Sequence, residues 1–279
     1  MPAPYEPGPG RVSPGMLRAL RGGVRRLVRL AHRATLTGRA NLPDGPYLLV
    51  ANHSAGVGLS EILCVASLWP GDEGPAPPLA GFAHPLGFKV WPVSVAHRHV
   101  GTVPSTYEAA YATLGAGVPL LVFPGGDHET LRPVWQAHRV DFGGRMGFAK
   151  IAIQAQVPVV PLGIRGSHFT APMLWRARWL AWALLLPRAM GQKRWGISLL
   201  GVLGALGVAA LPWAWPWQAL ALLVWLGTPL SFAPWIPATI RMRVGPPLAV
   251  PAPDADPAVV RDQVQAAVQA VVDRLGQKR

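Results

Sequence analysis

The chain has 279 residues, with 26 Lys and Arg against 13 Asp and Glu, a net charge of +13, 51% hydrophobic residues and only 14% charged ones. That length supports a core, and that hydrophobicity excludes an intrinsically disordered protein. A lone cysteine, Cys64, excludes an internal disulfide framework, and the scarcity of charge points toward a bilayer.

Residues 1–15 are rich in Pro and Gly and are expected to be a disordered tail. Residues 16–40 follow as a basic segment, with a helix expected over 16–36. Leu17, Leu20, Val24, Leu27 and Val28 recur at helical spacing, and Arg18, Arg21, Arg25, Arg29 and Arg33 share another face. With no acid to balance it, such a face suits an anionic membrane surface. Nucleic acid is excluded as a partner. Its binders interleave arginines with aromatics, whereas these arginines sit beside leucines.

Residues 41–194 form the expected catalytic core. Strands are expected at Tyr47–Ala51, Leu79–Ala83, Val118–Phe123 and Val157–Ile164. Helices are expected at Ser60–Leu68, with Ser60 as its cap, at Tyr107–Leu114 and at Gly147–Gln156. Cys64 lies in the apolar run of the first helix and reads as a core residue. His97-Arg98-His99 reads as a loop, with no further ligand at metal-binding spacing. The alternation implies an α/β fold, a mostly parallel sheet covered by helices. Ligands of such sheets gather where strands end.

No charged residue lies between Arg194 and Arg241. This stretch, 195–236, splits into apolar arms Ile197–Leu211 and Trp217–Leu230 around a Pro- and Trp-rich turn. Each arm would be on the order of 22 Å long as a helix, short of a ~30 Å hydrocarbon core. A hairpin that enters and leaves by one face is therefore expected. Residues 237–279 supply a late strand, Arg241–Val244, and a final helix, Ala258–Leu275, opened by Asp256 and Pro257.

Two segments carry the chemistry. The first, Val50 to Glu61, runs from a strand into a loop of small residues holding His53 and Ser54 and then into a helix. A carboxylate beside an imidazole fixes its tautomer and raises its basicity, so Glu61 is the natural partner of His53. The second, Phe123-Pro124-Gly125-Gly126-Asp127-His128-Glu129, ends another strand in a glycine pair, with Arg132 and Arg145 following. Exposed N–H groups there suit an oxyanion or a polar head group. There is no Gly-x-Ser-x-Gly elbow, phosphate loop or dinucleotide fingerprint.

Together these segments resemble the glycerolipid acyltransferase superfamily, in particular its bacterial branch related to monoacylglycerol and diacylglycerol acyltransferases. Asn52-His53-Ser54-Ala55-Gly56 is similar to that branch's Asn-His-Ser-Gly-Gly loop. Phe123 to Glu129 is similar to its Phe-Pro-Gly-Gly-x-x-Glu motif, and Val157-Pro158-Val159-Val160-Pro161 to the superfamily's last strand-borne motif. The resemblance implies an O-acyltransferase that takes a fatty acyl group from acyl-CoA or acyl-carrier protein to a lipid hydroxyl. It binds no cofactor or metal of its own. His53 and Glu61 would be catalytic. Ser54, Pro124, Gly125, Gly126, Asp127, Glu129, Arg132 and Arg145 would hold substrate. The protein would sit on a membrane, with its site facing the cytoplasm and membrane lipids and the acyl donor as partners.

The chain departs from the commoner pattern twice. An aspartate usually stands five residues after the histidine, where this chain has Gly58, and a Phe-Pro-Glu-Gly glutamate is replaced by Gly125. No arginine matches the motif that grips a phosphorylated acceptor, which favours a neutral acceptor or one with a different head group. The alternatives are a non-catalytic lipid-binding protein on the same fold, or an acyltransferase for a non-glycerol lipid.

Overall fold

In the computed structural model, which describes residues 6–54, 56 and 58–277, the first described residues are held in place. Gly10 N–H donates to the Gly101 carbonyl at 2.8 Å, and Ser13 N–H to that of His99 at 3.0 Å. The tail expected over 1–15 is thus docked where it is described, and its residues 1–5 lie outside the described residues. Ser13 caps α1 (Pro14–Ala19), which passes through a π-helical turn, Leu20–Val24, into α2 (Arg25–His32). The turn falls on the Gly22-Gly23 pair. The helix ends four residues short of the expected boundary because Arg33 turns left-handed, with φ 42°.

The arginine face of this helix divides. Arg21 donates to the carbonyls of Pro70 at 2.8 Å and Gly74 at 2.7 Å. Arg25, only 5% exposed, donates to those of Ser67 at 2.7 Å and Gly71 at 2.6 Å. Two of the five cations expected to face a membrane instead satisfy the unpaired carbonyls that follow α3 (Leu59–Leu68). Val28 packs inward beneath them, while Leu27 and Leu30 are exposed beside Arg26 and Arg29.

The strands are β1 (Thr35–Thr37), β2 (Leu48–Ala51), β3 (Ala80–Ala83), β4 (Val103–Pro104), β5 (Leu120–Val122), β6 (Val159–Arg165), β7 (Met173–Ala177), β8 (Trp195–Ser198) and β9 (Arg241–Val244). Seven form one sheet in the order β1-β9-β6-β2-β5-β3-β4. The run β6-β2-β5-β3-β4 is parallel, and β9 returns antiparallel to β6. Alternation along the strands builds two cores. Leu48, Val50, Leu120 and Val122 face one cluster, shared with α5 (Tyr107–Gly115), α7 (Gly147–Ala155) and α12 (Pro257–Arg274). Leu49, Ala51, Leu121 and Val160 face the other, shared with α2 and α3; Cys64 lies here, fully buried, and burial pushes its thiol up to about 12.

Three local expectations are corrected, and one short helix is added. Ser60 lies inside α3 and bonds Thr170 Oγ1 at 2.9 Å, while Gly58 occupies the cap position. His97, Arg98 and His99 form the last turn of a helix, α4 (Val93–Val100), not a loop. A short helix, α6 (Gly126–Thr130), follows β5. Residues 195–198 are strand β8, paired with β7, so the apolar stretch turns helical only at Leu199. Before it come α8 (Arg178–Ala183) and α9 (Leu186–Ala189). The arms themselves are α10 (Leu199–Ala209) and α11 (Trp215–Gly227). Among the described residues, no helix is long and apolar enough to cross a membrane.

Candidate active site

Strands β2 and β5 are parallel neighbours, paired from Leu48 with Leu120 to Val50 with Val122. Their following loops therefore leave at the same edge, which brings the two motifs together. Asn52 fixes the exit of β2. Its side-chain amide donates to the Ile164 carbonyl and accepts the Ile164 N–H, both at 2.8 Å, which clamps β2 to β6.

His53 follows. Its Nδ1 lies 2.6 Å from Glu61 Oε1. Glu61 is fully buried, and the same oxygen accepts the Ser54 N–H at 2.6 Å. A carboxylate only accepts, so the Nδ1 proton points at it and Nε2 keeps its lone pair for a substrate proton. The ring stacks on Phe123, with centroids 4.4 Å apart and planes 27° from parallel. Its side chain is 12% exposed, in contrast to the sealed carboxylate.

Gly58 explains how a glutamate eight residues away reaches the ring. Its φ of +68° closes the loop in the left-handed region, and a Cβ there would overlap Cε1 of His53. The position that commonly carries the aspartate is thus filled by the imidazole itself, and α3 returns the carboxylate from its first turn.

The second motif repeats the device. A Cβ at Gly125 would overlap Cγ of Glu129. Glu129 is fully buried and accepts the His53 N–H at 2.9 Å, the Asp141 N–H at 3.0 Å and Arg132 Nη2 at 2.8 Å. Burial pushes this carboxyl up, while Arg132 and the two N–H groups pull it back. Arg132 is itself 1% exposed. Three residues expected to hold substrate, Ser54, Glu129 and Arg132, are therefore sealed beneath the site and brace it. Ser54 Oγ bonds Ser167 Oγ and lies 3.3 Å from Glu61 Oε2.

The others stand nearer the surface. Arg145 is 43% exposed and pairs with Asp127. It also donates to the carbonyls of Gly125 at 2.7 Å and Pro124 at 3.2 Å, so it holds the Pro124-Gly125-Gly126 turn in shape. The Gly126 N–H is taken by the Phe123 carbonyl at 3.2 Å and is not available to an oxyanion.

A second imidazole–carboxylate pair lies nearby, His128 Nε2 to Asp141 Oδ2 at 2.9 Å. There the other nitrogen, Nδ1, is occupied by Arg194, and burial lowers the pKa of the ring. With both nitrogens engaged, His128 has no lone pair to spare, in contrast to His53. Ser167 and Thr170 went unread in the sequence. They follow Gly166 at the end of β6, the other parallel neighbour of β2, and that placement at the same sheet edge was the available signal.

Residues 33–165 match the family model described as Acyltransferase, a span containing both motifs and β2 to β6. The matched span is 133 of the 279 residues, just under half of the chain. An uncharacterised protein of Mycobacterium tuberculosis is 29% identical over 186 residues, 66% of this chain and 50% of its own length. One from Mycobacterium leprae is 30% identical over 186 residues, 66% of this chain and 48% of its own. The chain spans about half the length of the curated relatives it matches. In fold it is similar to the crystal structure of the 1-acyl-sn-glycerophosphate acyltransferase PlsC from Thermotoga maritima. The TM-score is 0.56 at 18% identity, covering 95% of this chain and 81% of that one. The matched span ends at Arg165, so Ser167 and the apolar arms lie beyond it.

Proposed function

We propose that this protein transfers a fatty acyl group from a thioester, acyl-CoA or acyl-carrier protein, to the hydroxyl of a lipid acceptor. The observation that carries this reading is the 2.6 Å contact between His53 Nδ1 and buried Glu61, which leaves Nε2 as the proton acceptor. His53 Nε2 takes the proton of the acceptor hydroxyl as its oxygen attacks the thioester carbonyl carbon. Glu61 stabilises the imidazolium that results. The tetrahedral intermediate collapses, the carbon–sulfur bond breaks, and the thiolate leaves with the proton from His53. General-base assistance is worth roughly 10²–10⁴-fold, so placement of the two substrates must supply most of the remainder.

An acceptor without a phosphate is favoured. Arg132 is buried against Glu129, and Arg145 is engaged by Asp127 and two loop carbonyls, so neither is free to grip one. The test is incubation of radiolabelled long-chain acyl-CoA with vesicles containing mono- and diacylglycerol, lysophosphatidic acid or a long-chain alcohol. A labelled neutral ester is expected with the parent chain and not with His53→Ala. A folded parent that labels no acceptor would leave a lipid-binding role in its place.

A further inference from the structure

The pair α10–α11 is apolar all round rather than on one face. From Leu199 to Gly227, Gln218 is the only side chain with a polar group other than the tryptophan indoles. Leu206, Trp215, Trp217 and Leu220 are exposed, Trp215 by 78%. A helix docked on a protein partner needs one apolar stripe, whereas one apolar on every side belongs in a core or in lipid.

Polar groups at key points of the hairpin are paired within it. The Gln218 amide donates to the Leu211 carbonyl at 2.8 Å and the Ala209 carbonyl at 3.2 Å, closing the end of α10. The indole N–H of Trp225 donates to the Gly201 carbonyl at 2.9 Å, and that of Trp195 to Leu226 at 2.6 Å. Such pairing is what hydrocarbon, which offers no hydrogen bonds, demands.

The foot of the hairpin has the opposite character. From residue 142 to residue 253 there is no Asp or Glu, but there are ten Lys and Arg. Of these, Arg178, Arg188, Lys193 and Arg194 lie just ahead of α10. Arg188 stacks over Trp182 at 4.4 Å, and Leu186 of α9 lies within 3.4 Å of where a Gly227 Cβ would sit, which ties this basic stretch to the base of α11. An apolar hairpin that follows a stretch of chain rich in Lys and Arg and without an acid of its own matches a lipid leaflet with anionic headgroups.

We propose that α10–α11 dips into one leaflet of an anionic bilayer and leaves by the same face. Eleven and thirteen helical residues reach about 16 and 20 Å, beyond the middle of a ~30 Å hydrocarbon core only if upright and short of crossing it. The chain then returns to the site. Phe232 Cβ stands 2.7 Å from where a Gly56 Cβ would sit, so the hairpin's base rests on the loop that carries His53. The bilayer surface is thereby brought beside that loop. Docking stands independently of the transfer chemistry, because it is read without turnover.

The test is flotation of the full chain with phosphatidylcholine vesicles, with and without phosphatidylglycerol. The parent is expected to float with the vesicles, more so with phosphatidylglycerol and less at high salt. The double variant Leu206→Lys with Trp215→Lys should lose binding roughly tenfold or more, with its circular dichroism and melting unchanged. Brominated lipid should quench the parent's tryptophan fluorescence. Flotation of the variant equal to the parent, unquenched tryptophans, or indifference to phosphatidylglycerol would overturn the proposal. So would a parent dimer that ignores vesicles and that the lysines dissociate, since the apolar surface would then be an interface between copies. Flotation without acyl transfer would sink the proposed function alone.

Discussion

The loops after β2 and β5 are built alike and do different things. Each leaves its strand, places a glycine where the resembling superfamily commonly has an acid, and receives a carboxylate from the helix that follows. In the first, Glu61 meets an imidazole whose other nitrogen keeps its lone pair. In the second, Glu129 meets a guanidinium and two backbone N–H groups and is sealed. In the proposed mechanism the partner, not the carboxylate or its place in the motif, decides which one does chemistry.

The largest effect should separate the two glutamates by activity. Glu61→Gln keeps an acceptor for the Ser54 N–H but removes the charge that supports the imidazolium. Turnover is expected to fall on the order of 10²–10⁴-fold with little change in melting temperature. Next, Glu129→Gln leaves Arg132 buried beside a neutral amide. Breaking a buried pair in this way typically costs about 3–5 kcal/mol, to be read from urea unfolding. Were Glu129→Gln to fold as stably as the parent and yet be inactive, the assigned roles would be exchanged.

A smaller effect probes the floor beneath the second loop. His168 is 3% exposed, and burial, with Arg132 and neighbouring histidines, lowers its pKa to about 3. Its folded pKa lies below the unfolded value near 6.5, so the unfolded chain binds the extra proton. The stability it contributes is present above pH 6.5 and lost as pH falls toward 3, by up to about 1.4 kcal/mol per pH unit. Unfolding at pH 7.5 and pH 5.5 should show a steeper slope in the parent than in His168→Leu, since His128 and His138, whose pKa is also lowered, keep part of it in both. An identical slope in both would remove His168 from the account.

Much of this arrangement was legible in the sequence. The strands carrying the motifs, the pairing of His53 with Glu61, and the break at Pro212 all follow from local pattern. What escaped it was nonlocal. Nothing in the spacing of Arg21 and Arg25 says that carbonyls some 42 to 53 residues away consume them. Arg132 reads as a free cation until its burial against Glu129 is seen. Strands β7 and β8, separated by two short helices, have no turn signal between them and pair only through tertiary contact.

The most direct test is turnover of one long-chain acyl-CoA with one lipid alcohol by His53→Ala and His128→Ala, each against the parent. The imidazole at position 53 has a nitrogen to spare, and the one at position 128 has none. His53→Ala should therefore abolish transfer, and His128→Ala should retain it in whatever fraction stays folded. Transfer that survives loss of His53, or vanishes from a fully folded His128→Ala chain, would contradict the assignment.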